Sequence, residues 1–79
     1  MSDYSIAFIS NEAVTRSYAN ELLTEKWLGS FKVASSIKSK RLENFKIDFC
    51  LIDTSKNFES FNDLNDFCKN TGMKKIIIF

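Results

Sequence analysis

The sequence predicts an α/β domain built on an open parallel sheet, and three observations lead to that fold class. Short apolar runs alternate with amphipathic stretches in the order β-α-β-α-β-α-β along the 79 residues. The stretches between runs are long enough to be crossovers, which make the strands parallel, with right-handed connections and helices on both faces. The run Ile47-Asp48-Phe49-Cys50-Leu51-Ile52-Asp53 has an apolar centre with little alternation, as expected of a central parallel strand covered on both faces. Placing this third strand beside the first gives the order 2-1-3-4.

Each element has its own signal. Ser5-Ile6-Ala7-Phe8-Ile9 is short, β-branched and aromatic, and is closed by Ser10-Asn11, so it reads as the first strand. Ser10 or Asn11 is then expected to cap a helix with Glu12 in its first turn, where a carboxylate favours the positive end of the dipole. Val14, Tyr18 and Leu22 recur every four residues, as do Ala19, Leu23 and Trp27. The two sets predict one broad apolar stripe packed as core, on a helix ending before Gly29.

Phe31, Val33, Ser35 and Ile37 alternate with Lys32, Ala34 and Ser36, the pattern of a more polar second strand at a sheet edge. Lys38 to Lys46 offers one or two helical turns carried on Leu42 and Phe45. Its basic residues read as a solvated face, since no exposed aromatics interleave them as a nucleic-acid surface would need. Beyond the third strand, Phe58, Phe61, Leu64 and Cys68 form the apolar face of a helix with Phe67 beside it, and Asn70-Thr71-Gly72 is its stop. Ile76-Ile77-Ile78-Phe79 reads as a buried fourth strand.

Composition bounds the function. Residues 1–79 are expected to form a single domain, small enough to bury only about 60% of its unfolded surface. An apolar content of 44% with a net charge of +1 is that of a folding chain, and it provides no global field for nucleic acid or cationic partners. There is no His, so Ser-His-Asp triads, Cys-His pairs and the usual His-containing zinc sites are excluded. Gly29 and Gly72 lie too far apart for a phosphate-binding glycine loop. Cys50 and Cys68 lack C-x-x-C spacing and read as reduced, buried apolar residues. With no secretory signal and no apolar run of about 20 residues, a cytoplasmic location away from membranes is expected.

The strand-helix order and the residues at two strand ends resemble the receiver domain of two-component response regulators, a flavodoxin-like fold. Ile47-Asp48-Phe49-Cys50-Leu51-Ile52-Asp53 is similar to the family's third strand, which ends in the aspartate that accepts a phosphoryl group. Ile9-Ser10-Asn11-Glu12 is similar to the end of its first strand, where an acidic pair binds a divalent metal. Asn11 and Asp53 stand 42 residues apart, a separation that suits the family. The resemblance therefore implies Asp53 as phosphoacceptor candidate and a metal site at Asn11 and Asp53, with Ser10 and Glu12 as neighbours.

The departures from the family pattern shape the expectation. Ser10 and Asn11 replace the acidic pair, and Mg²⁺ is commonly held by one or two carboxylates, so at most weak Mg²⁺ binding and no resident cofactor are expected. Thr54-Ser55-Lys56 lacks the family's Met-Pro pair. The family's switch Ser/Thr and its Lys fall at the ends of the fourth and fifth strands, and Phe79 comes before both. The resemblance thus implies either the N-terminal part of a longer regulator or an unusually short relative, in both cases without the last strand and helices of a full receiver domain; the first is favoured, because an apolar terminal strand with unpaired backbone groups is a template for association.

The expected role is regulatory rather than enzymatic: an atypical receiver-like module acting by protein contact, with weak or no phosphorylation at Asp53. A carboxylate that merely caps the following segment is the competing reading of Asp53. A fragment of a small α/β enzyme or phosphocarrier-like domain, using Asp53 or Cys50, is the alternative function. Expected partners are a second copy through the Ile76 to Phe79 edge and a sensor kinase, with DNA reached only through an output domain elsewhere in the longer chain.

Overall fold

The computed structural model describes residues 4–54, 61–71 and 75–78. Four strands, β1 (Ser5–Ile9), β2 (Ser30–Ala34), β3 (Phe49–Ile52) and β4 (Lys75–Ile78), form an all-parallel sheet in the order β2-β1-β3-β4. Two helices, α1 (Ala13–Lys26) and α2 (Phe61–Thr71), complete the described framework. The fold is the open α/β sheet expected from the strand-helix alternation, with β1 and β3 central and β2 at an edge.

Register divides the core into two layers. Phe8 stands opposite Val33 on one side and Leu51 on the other, and these residues share a face with Ala19 and Leu23 of α1. Side chains alternate along a strand, so Ala7, Ile9, Cys50 and Ile52 face the other way, where Leu64 and Phe67 of α2 cover them. Ile37, Leu42 and Ile47 from the β2–β3 connection fill the rest of this second layer. Burying each such aliphatic side chain contributes about 1.5–3 kcal/mol.

The β2–β3 connection contains a single 3₁₀ turn at Lys40–Leu42, within the one or two helical turns the segment could carry. Leu42 is buried and Phe45 packs partly against the core, as expected. Asn44 between them has φ 61°, in the left-handed region. Asn tolerates that region and a β-branched residue does not. Asn44→Val is accordingly expected to destabilise the chain by about 1–2 kcal/mol, while Asn44→Gly stays near neutral; urea unfolding of the two variants checks this.

Four local expectations are corrected, the first being the buried fourth strand: β4 lies at a sheet edge, with Ile77 and Ile78 44% and 45% exposed. Strand β2 ends at Ala34 and does not reach Ile37; Ile37 is buried from a turn instead, because a short edge strand pairs only along the length of β1. The N-cap of α1 is Glu12, whose side chain makes no capping bond, so Glu12 is not in the first turn and neither Ser10 nor Asn11 is the cap. Ser10 still serves the helix entry by accepting the Glu12 backbone N–H at 3.2 Å.

The two apolar sets of α1 do not form one core stripe. Ala19 is buried, Leu23 packs on the sheet and Trp27 is half-buried, whereas Val14 and Tyr18 are 77% and 68% exposed and Leu22 is 44% exposed. A helix lying on a sheet buries one arc, and residues 14, 18 and 22 sit about 100° round from residues 15, 19 and 23. Phe58, Gly72 and Phe79, with the side chains of Phe61 and Cys68, lie outside the described residues.

Candidate functional site at the carboxyl ends of β1 and β3

In an open α/β sheet, ligands bind beyond the carboxyl ends of the strands where the winding direction reverses. Here that point lies between β1, whose crossover leads outward to β2, and β3, whose crossover leads the opposite way to β4. Ile9 and Ile52 are opposite one another at the two strand ends, so the next residues, Ser10 and Asp53, meet across the crevice. The Asp53 backbone N–H extends the ladder by donating to the Ile9 carbonyl at 2.9 Å.

Both side chains are held in place. Ser10 Oγ donates to Asp53 Oδ2 at 2.9 Å, and the two residues are 1% and 8% exposed. The backbone N–H of Ser10 donates to Ala34 at the end of β2 at 3.1 Å. Its carbonyl accepts a hydrogen bond from Arg16 Nη1 of α1 at 2.8 Å. Ser10 is thus fixed by β2, α1 and Asp53 together, and the carboxylate is presented beside a neutral hydroxyl. No buried side-chain nitrogen or oxygen among the described residues lacks a hydrogen-bond partner.

Of the residues singled out in the sequence, Ser10 and Asp53 are in direct contact and Glu12 follows two residues after Ser10 with its N–H on the Ser10 hydroxyl. Asn11 is exposed in the bend between them. The oxygens of Ser10, Asn11 and Asp53 are of the hard type that a small divalent cation accepts. Among the described residues no group of three or more His, Cys, Asp or Glu is placed to hold a metal. Cys50 lies in the α2-facing layer with 0% exposure.

Two polar residues carry more than the sequence suggested. Asp48, 5% exposed, accepts the Ser5 N–H on its Oδ2 at 2.9 Å, and its own N–H donates to the Ser5 carbonyl at 3.0 Å. These bonds align the beginnings of β1 and β3 and so set the register that brings Ser10 to Asp53 at the other end. Arg16 is the second: its spacing of three and seven residues from Ala19 and Leu23 puts it on the sheet-facing arc, a signal present in the sequence.

No protein-family model matches this chain, and no match is found among curated proteins or solved structures.

Proposed function

We propose that this chain is an atypical receiver-like regulatory domain that acts through protein contact, with weak or no phosphorylation at Asp53. The observation that supports it best is the position of Asp53, at the carboxyl end of a central parallel strand, buried, and hydrogen-bonded to Ser10 at the end of β1. Phosphoryl transfer to a carboxylate is mostly positioning and charge stabilisation, and an incoming phosphoryl group needs cations around its oxygens. Ser10 contributes a neutral hydroxyl there, which orients the carboxylate without holding a metal tightly.

The contact surface is the outer edge of β4. Among the described residues β4 pairs only with β3, and Ile77 and Ile78 are 44% and 45% exposed. An apolar strand edge with free backbone groups is a template for pairing, and a second copy of the chain meets it with an identical edge.

Sedimentation velocity and mass spectrometry test both parts together. The chain is expected to self-associate, Ile77→Lys is expected to shift it to monomer, and acetyl phosphate with Mg²⁺ is expected to change neither result. Attack of an Asp53 oxygen on the phosphorus with loss of acetate would leave a base-labile acyl phosphate. Its efficient formation at sub-millimolar Mg²⁺ would overturn the phosphorylation-independent reading, and a monomer at high concentration would remove the β4 contact.

A further inference from the structure

A second polar cleft lies on the β2 side of α1, lined by Arg16, Ser17, Asn20, Val33 and Arg41, with a volume of about 300 Å³. Neither Ser10 nor Asp53 lines it, although Arg16 also bonds the Ser10 carbonyl, and the inference does not rest on the function proposed above. Among the described residues its lining holds two guanidinium groups, one amide and one hydroxyl, and no carboxylate. The ion pair formed among the described residues is Lys38 with Asp63 at 3.3 Å, so neither arginine is neutralised by an acidic side chain there.

Both arginines are held by their surroundings. Arg16 is half-buried and uses one N–H on the Ser10 carbonyl at 2.8 Å, which leaves most of its five donors available. Arg41 sits in the 3₁₀ turn, where Ser39 Oγ accepts its backbone N–H at 3.2 Å. That bond fixes the backbone from which the exposed guanidinium extends. Two like charges sharing a cleft repel, and an anion between them removes the repulsion while filling the planar donor forks.

We infer that the cleft binds the phosphate group of a small phosphate monoester, held by Arg16 and Arg41 with Ser17 and Asn20 completing the donor set. The volume is at the small end of ligand pockets, which suits a compact molecule rather than a large cofactor. Arg forks match the tetrahedral oxyanion bidentately, and Val33 provides an apolar wall for the organic part.

The test is an NMR titration of the full chain with inorganic phosphate, ribose 5-phosphate and ribose at fixed ionic strength. Saturable shifts at residues 16, 17, 20, 33 and 41 are expected with both phosphates and none with ribose. Arg41→Gln is expected to weaken binding at least about ten-fold, as loss of a charge-assisted contact does. Lys46→Gln, which removes the same charge from an exposed residue outside the cleft, is expected to leave binding within about two-fold. Because Arg16 also bonds Ser10, Arg16→Lys is read alongside, with the amide spectrum of its β1 residues reporting whether the fold is kept. Absence of saturable shifts, or equal losses in Arg41→Gln and Lys46→Gln, would overturn the assignment. A phosphoserine peptide binding far more tightly than ribose 5-phosphate would overturn the small-molecule ligand.

Discussion

Replacing Ser10 and Asn11 together by aspartate is expected to strengthen Mg²⁺ binding beside Asp53 by about ten-fold or more and to make folding stability depend on the metal. The Ser10 hydroxyl lies 2.9 Å from the Asp53 carboxylate, so an aspartate at position 10 brings a second negative charge to within hydrogen-bond range. A hard divalent cation draws its affinity from carboxylate count, and the low exposure of Ser10 and Asp53 limits solvent screening of the charge added at position 10.

Without metal the same change is unfavourable. The donor to Asp53 is lost and two carboxylates face each other across the crevice, an arrangement that raises the energy of the ionised folded state. The variant is expected to melt several degrees below the parent in chelator, since each kcal/mol shifts a domain of this size by roughly 4–8 °C. It should recover in millimolar Mg²⁺ through ligand linkage. Calorimetry in the two conditions, with isothermal titration of the metal, measures both effects. Equal Mg²⁺ affinity in parent and variant would show that carboxylate charge is not what the crevice lacks.

The second large effect is expected at Asp48. Asp48→Ala removes the acceptor of the Ser5 N–H and leaves a buried position emptied of its polar group. Loss of a hydrogen bond to a charged acceptor costs about 1.5–3 kcal/mol. For a chain of this length that is a large share of a total stability on the order of 4–12 kcal/mol. Asp48→Asn keeps a carbonyl acceptor of the same shape and should lose less than half as much. Urea unfolding of the two variants separates the outcomes; an Ala variant as stable as the Asn variant would remove Asp48 from the register of β1 and β3.

The two aspartates bracketing β3 show why a sequence reveals some of this site and hides the rest. Asp48 and Asp53 are both carboxylates at the borders of one apolar run. Position relative to the chain direction marks Asp53 as the candidate, because ligands gather at carboxyl ends of parallel strands. That much needs no coordinates. Asp48 is one polar residue at the start of an apolar run, and its bond to Ser5 joins residues 43 positions apart in the chain. Local pattern carries no record of such a pairing.

Element type and strand order were legible because they follow from short-range regularities: apolar runs too short for helices, amphipathic crossovers, and the rule that parallel neighbours need such crossovers. The polar alternation of the second strand points to an edge on the same reasoning, and β2 lies at one. Which apolar arc of α1 is buried was not legible. Val14, Tyr18 and Leu22 are as regularly spaced as Ala19, Leu23 and Trp27. The choice between them depends on the rotation of α1 about its axis, set by Phe8 and Val33 beneath it and by the bond from Arg16 to Ser10.

Periodicity and chain direction are local properties, so the parallel α/β architecture and the candidate carboxylate at the end of β3 can be read from the residues alone. It takes the packed fold to reveal that Ser10 donates to Asp53, that Asp48 ties β1 to the start of β3, and that Arg16 and Arg41 share a cleft. Each of these joins residues far apart in the chain, and contact across such distances is created by the packing of elements whose individual patterns are silent about their neighbours.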